Sequence, residues 1–301
     1  MYRKISLLRL FKVFFWTPMI FAWCCLVCVC TKSPLGDDDL GEGNISAGLR
    51  SMRGLISMND GTNPDHVCVW MDILGLSTST DSDGNFILTL PDETSHVGSI
   101  GMSGFYRIFF YMANYLLDSA QVIVNESEFV YGNGDIDREG YLYPSKVLEK
   151  FLDFETSIDP LAISASYDSL ITVNILFRAT IDDALVHFPE GRIKIREGTV
   201  FLRNMDSSWV SQYQTTITDI DTKSDFLAVK SGEPSLVTME FSIVNDPLPP
   251  GRYEVIPFFI PYYKDTLEGF IEKVFPDYDI PSLDYLDIPM KRKGGSFEVT
   301  N

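Results

Sequence analysis

LSTSTDSDGNFILTLP, residues 76–91, sets two extended segments on either side of an Asp-Gly turn. Phe86, Leu88 and Leu90 recur every second residue, the period that puts them on one face of a strand. Gly84 supplies the positive φ of the hairpin expected here, and the Asp81 carboxylate is placed to accept from the turn backbone. The same residues resemble a calcium loop in composition. A calcium loop counted from Asp81 would want Glu at its twelfth position and helices on both sides. Asp92 stands there, next to Pro91 and strand patterns, so the turn reading is preferred.

The pattern extends in both directions. RGLISM (53–58) and HVCVWMDI (66–73) read as strands, separated by the loop NDGTNPD. Gly54, VCVW at 67–70, and then Thr78, Thr80, Asp81, Gly84, Phe86, Leu88, Leu90 and Pro91 together resemble the carboxypeptidase-regulatory-like domain, a small transthyretin-like β-sandwich. That resemblance implies a structural or accessory module and brings no zinc peptidase with it, because the zinc ligands of carboxypeptidases are absent. RIFFYMANY (107–115) fits a strand or a short helix on periodicity alone. SAQVIVNESEFVY alternates as strands, and GNGDIDREG (132–140) is a turn cluster. The first sandwich is placed at 51–135.

A linker with a short helix is expected at 136–160. YPSKVLEKFLDFETSIDP (143–160) offers Ser145 as an N-cap and Leu148, Phe151 and Leu152 on one helical face. Residues 161–301 read as an immunoglobulin-like or fibronectin-type sandwich. Their segments include LAISASYDSLITVNILFRATI, a hairpin GRIKIREGTVFLRN bending near Glu197-Gly198, SLVTMEFSIV, GRYEVIPFFIPYY and a final strand SFEVTN. TLEGFIEKVF (266–275) reads as a helix. The fold class expected is therefore all-β, two β-sandwich domains with one or two short helices.

The N-terminal end has a different chemistry. MYRKISLLRLFK is basic, and residues 13–30 contain no charge over 18 positions. A basic n-region, an apolar h-region and an abrupt polar shift form an export signal at 1–30. An uncleaved membrane anchor is the competing reading, since about 18 apolar residues just reach across a bilayer core. CCLVCVC (24–30) ends the apolar run and resembles a bacterial lipoprotein signal. Cys30 is the expected lipidation site because it borders the polar segment, although Val29 stands where such signals carry Gly, Ala or Ser. TKSPLGDDDLGEGNISAG follows as an acidic, flexible tether at 31–50. Its aspartates from Asp37 resemble the surface-export signal of Bacteroidetes-type surface lipoproteins. A location in the cell envelope, at the outer membrane and exposed at the surface, follows from that resemblance.

Composition narrows the function classes. The chain of 301 residues has 42 acidic and 24 basic residues, a net charge of −18. Arg3, Lys4, Arg9 and Lys12 precede the apolar run, so everything after it carries −22. Such a surface repels nucleic-acid phosphates, and no nucleic-acid partner is expected. Cys68 is the only cysteine outside the opening cluster and reads as an inert buried thiol. His66, His96 and His187 form no metal motif, and the four clustered cysteines lack a second half-site, so no metal and no cofactor are expected. There is no phosphate loop, no H-E-x-x-H and no G-x-S-x-G. Carboxylate pairs such as Asp182-Asp183 and Asp219 with Asp221 are common in so acidic a chain.

The reading that results is a non-catalytic, lipid-anchored envelope protein with a structural or binding role. Its partners would be the membrane, through the lipid, and a protein or glycan ligand. The alternative is a glycan-binding surface lipoprotein of a polysaccharide-uptake system, for which Trp70, Trp209, Tyr262 and Tyr263 are candidate stacking residues.

Overall fold

The computed structural model describes residues 50–91, 102–189, 197–218, 226–264, 266–267 and 269–301. Ser46–Asn301 form one compact unit. Cys30, the tether up to residue 49, His96, Asp219 and Asp221 lie outside the described residues.

The described residues are almost entirely β. One three-stranded sheet has the order β4-β1-β8, from β1 (Ser51–Met58), β4 (Asn85–Thr89) and β8 (Lys146–Leu148). A five-stranded sheet has the order β3-β2-β5-β6-β7, from β2 (Cys68–Met71), β3 (Leu76–Ser79), β5 (Gly104–Tyr111), β6 (Asp118–Asn125) and β7 (Glu128–Phe129). Their inward residues share one apolar cluster. Met52, Ile56, Phe86 and Leu88 come from the first sheet, and Val69, Ile108, Phe110 and Val122 from the second. Phe86 meets Phe110 with ring centroids 5.8 Å apart. This is sandwich packing, produced by strict alternation of buried and exposed positions along β1 and β4.

The opening stretch behaves as its chemistry requires, with one difference. Gly84 has φ +85°, and a Cβ there would sit 2.0 Å from the Ile56 carbonyl oxygen. The Asp81 carboxylate accepts from the backbone N–H of Asp83 at 3.0 Å and of Asn85 at 2.8 Å. The turn does not close a hairpin, however. β3 pairs with β2, and β4 pairs with β1, so the turn carries the chain from one sheet to the other.

The second half is built around an eight-stranded sheet of order β10-β19-β17-β13-β14-β16-β11-β9. Its strands are β9 (Leu152–Asp159), β10 (Ala162–Ser164), β11 (Ile171–Ala179), β13 (Glu197–Asn204), β14 (Val210–Thr218), β16 (Ser235–Phe241), β17 (Gly251–Pro257) and β19 (Ser296–Thr300). A three-stranded sheet, β15-β12-β18, joins β12 (Ala184–His187), β15 (Phe226–Val229) and β18 (Ile260–Tyr262). A second apolar cluster fills this half. It also takes Trp70, Phe109 and Tyr111 from the far face of β2 and β5. That sheet is therefore buried on both faces near its middle, which explains why β5 ends in four consecutive buried residues.

Two expected helices differ from the structure. The segment 143–160 is not helical: β8 pairs parallel with β1, and β9 pairs antiparallel with β11. Leu152, Phe154, Thr156 and Ile158 are all buried while the residues between them are not. A period of two outweighs the single helical coincidence of Leu148, Phe151 and Leu152. The segment 266–275 keeps only a short helix, α1 (Phe270–Val274), whose Phe270 and Ile271 are buried. Of the hairpin expected over 191–204, residues 191–196 lie outside the described residues, and Glu197-Gly198 open β13. Those residues are already paired with Thr216 and Thr215, and the β13–β14 turn falls at 205–209. RIFFYMANY resolves as strand through Tyr111, and SFEVT is the final strand.

A polar pin ties the end of β1 to the start of β9. Lys150, with a side chain only 7% exposed, places its ammonium against the Asp60 carboxylate and 3.5 Å from Asp153. It lies over the Tyr115 ring at 5.2 Å, and the Tyr115 hydroxyl donates to Asp60 at 3.1 Å. Burial alone would raise the Asp60 pKa. The Lys150 and Thr62 hydrogen bonds and the Lys150 charge outweigh it, holding the carboxyl well below its ordinary 3.8.

Candidate functional site

A cleft of about 690 Å³ opens between the β2–β3 side of the first sandwich and the segment 286–292. One wall is hydroxyl-rich: Ser77, Thr78 and Ser79 on β3. The facing wall carries Arg203 from β13, then Asp287, Lys291 and Arg292, with Phe275 and Met290 as apolar floor. Asp65, His66 and Cys68 close one end.

The cationic wall is fixed by long-range backbone capture. Asn114 is fully buried, and its side-chain amide donates to the carbonyls of Leu152 and Lys291 at 3.2 and 3.3 Å. Its side-chain oxygen accepts from the Lys291 N–H at 3.1 Å. Ala113 N–H donates to the Pro289 carbonyl at 2.8 Å. The Lys291 ammonium donates to the Asp65 carbonyl at 2.7 Å, tying this wall to the far one. Its partial burial lowers the Lys291 pKa below the usual lysine value, while the Asp65 and Asp60 charges act the other way.

The two arginines differ. Arg203 Nε donates to Glu254 at 2.8 Å, and its Nη2 pairs with the same carboxylate. Arg292 stacks its guanidinium 5.4 Å above the Tyr285 ring. Tyr285 is fully buried, and its hydroxyl donates to the carbonyl of Pro257 or Phe259. Arg292 Nη2 is buried and has no hydrogen-bond partner among the described residues. This wall thus carries two arginines, of which Arg203 is committed to Glu254. Cys68 is half-buried in the wall, and burial pushes its thiol up to about 12. At neutral pH that sulfur is protonated and a poor nucleophile. His66, exposed at φ +63°, lies 3.2 Å from Asp65. Among the described residues no group of three or more His, Cys, Asp or Glu could hold a metal ion.

The four aromatic candidates stand apart, and none of them lines this cleft. Trp70 is buried, stacked on Phe109 at 6.0 Å and edge-on to Phe270 at 5.6 Å. Trp209 sits at the β13–β14 turn, edge-on to Tyr253 at 5.8 Å. Tyr262 is half-buried and its hydroxyl donates to that of Tyr278. Tyr263 packs on Phe151 and hydrogen-bonds Asp182. Asp182 is also held by Lys264 at 2.8 Å, and Asp183 accepts from the Ser231 N–H at 2.9 Å.

Sequence reasoning missed the cationic wall. A signal was present: KRK at 291–293 is the only run of three adjacent basic residues in the chain. A smaller cleft of about 440 Å³ is lined by Ile73, Phe105 and Leu267 beside Asp72 and Arg107.

No protein-family model matches the chain. No curated protein sequence matches it either. Solved structures with some likeness include BcpA, the major pilin subunit of Bacillus cereus, at 11% identity and TM-score 0.24, covering 69% of this chain and 63% of that one. A single-residue variant of the same pilin gives 8% identity and TM-score 0.25, covering 70% and 66%. The Bacillus anthracis TIE protein gives 11% identity and TM-score 0.21, covering 71% of this chain and 29% of that one. The chain spans less than two thirds of the length of each of these proteins.

Proposed function

We propose that this chain is a non-catalytic, lipid-anchored protein of the cell envelope whose β-rich body serves a structural or binding role. The anchor would be a lipid on Cys30, and the acidic tether at 31–50 would hold the body away from the membrane. The observation that carries the binding half is the composition of the 690 Å³ cleft. It presents fixed hydrogen-bond donors, while its thiol is held protonated. That is equipment for holding a ligand rather than for attacking one.

Cell fractionation tests the anchoring. The full chain is expected in the membrane fraction and released by detergent, with the Cys30→Ala chain appearing in the soluble fraction. An unchanged membrane fraction for Cys30→Ala would contradict Cys30 as the anchor.

A second reading, a glycan-binding surface lipoprotein of a polysaccharide-uptake system, is favoured by the hydroxyl wall at residues 77–79 facing charged donors across the same cleft. Hydroxyl-rich ligands are recognised by such mixed polar groups above an apolar floor.

A further inference from the structure

We infer that the cleft between residues 77–79 and 286–292 takes an acidic saccharide, whose carboxylate or sulfate group binds at Arg292 while its hydroxyls meet the serine wall and Asp287. This deepens the glycan-binding reading above and rests on it.

The charge distribution supplies the first reason. Outside its N-terminal segment the chain carries −22, so an anion meets repulsion over most of the surface. Arg203, Lys291 and Arg292 nevertheless converge on one cleft, against two carboxylates in its lining, Asp65 and Asp287. Lys291 is committed to the Asp65 carbonyl, and Arg203 to Glu254. Arg292 has no acidic partner among the described residues and an unsatisfied Nη2. The buried Nη2 is out of a ligand's reach, but the half-buried side chain lines the cleft, and a guanidinium with no counter-charge attracts an oxyanion through a charge-assisted hydrogen bond. The Tyr285 ring 5.4 Å from the guanidinium restrains it, so less side-chain freedom is lost on binding.

The second reason is the rest of the lining. Ser77 and Ser79 share one face of β3, Thr78 lies on the other, and all three residues line the cleft. Asp287 provides a carboxylate that accepts from hydroxyl groups, and no ion pair holds it among the described residues. An anion alone would have no use for either group, whereas a sugar uses both. A cleft of about 690 Å³ has room for two or three rings. Walls that are pinned together by Lys291 and Asn114 hold this geometry before any ligand arrives.

Isothermal titration calorimetry on the full chain in detergent tests this. The probes are oligogalacturonate, a chondroitin sulfate hexasaccharide, sialyllactose, neutral cellotriose and hexaglutamate. At least one acidic saccharide is expected to bind saturably and more tightly than cellotriose and hexaglutamate. Arg292→Gln is expected to weaken it about tenfold or more, with the melting temperature reporting that the fold is intact. Arg203→Gln, on the same wall, serves if Arg292→Gln does not fold. Raising the salt is expected to weaken binding. Saturable binding of cellotriose at equal affinity would overturn the acidic preference and leave the glycan reading standing. Binding of none of the saccharides would overturn both, without touching the anchor. Preference for hexaglutamate, or binding unchanged by both variants, would overturn the inference as well.

Discussion

At the residue scale, the side chains that matter are those whose polar atoms are either fully engaged or left over. Tyr111 is the clearest remainder. Its ring is packed against Phe270 and Phe275, and burial pushes the phenol far above its ordinary range. Its buried hydroxyl has no hydrogen-bond partner among the described residues. Removing an unsatisfied buried hydroxyl while keeping the ring removes a desolvation cost. Tyr111→Phe is therefore expected to leave stability unchanged or raise it by about 1 kcal/mol, read from urea denaturation. Lys150 is the opposite case. Lys150→Met would strip the counter-charge from Asp60, while Asp153 keeps Lys293 at 3.1 Å, and is expected to cost about 3 kcal/mol in the same measurement. What was legible in the sequence at this scale was local. Asp81 and Gly84 act within four residues of each other, so their turn chemistry could be read directly. Asn114 clasps Lys291 across 177 positions, and nothing in either neighbourhood signals it.

At the scale of elements, β1 and β4 show how alternation and two glycines fix a sheet. Gly54 sits where a Cβ would lie 2.4 Å from the Phe86 ring and 2.9 Å from Leu142. A side chain there would push Phe86 out of the first core. Gly54→Ala is expected to lower stability by about 1–3 kcal/mol, as overpacked cores do, with a matching fall in melting temperature. Gly84→Ala is expected to cost more than about 1 kcal/mol, because it adds backbone strain to the clash with Ile56. β8 and β9 mark the limit of sequence pattern. The helical spacing of Leu148, Phe151 and Leu152 was real, but the deciding residues, Thr156 and Ile158, lay further along and obeyed period two. α1 is shorter than its apolar spacing suggested: Phe270 is buried against Trp70, Phe109 and Tyr111 and Ile271 is buried beside it, while Val274 and Phe275 are only partly buried.

At the scale of the whole molecule, the Asp60–Lys150 pair couples stability to pH. Asp60 has a folded pKa below its ordinary 3.8, so its contribution is present above that value and is lost as pH falls below it. Lys150 has a folded pKa above 10.5, so its contribution is present below that value and is lost as pH rises past it. Melting temperature is expected to fall on the acid side below about pH 4, with Asp60→Asn flattening that limb. Because Asp60 keeps part of its surface in water, the acid limb attributable to it is about 1 kcal/mol.

The all-β class was legible because period-two segments and turn residues recur along most of the chain. The cleft was not, because its walls come from β3, β13 and the segment 286–292 and meet only in three dimensions. The central claim is that this body is tethered by a lipid on Cys30, and metabolic labelling with a palmitate analogue tests it most directly. Label on the native chain and none on Cys30→Ala is the expected result. Equal labelling of both chains, or no labelling of either, would contradict it.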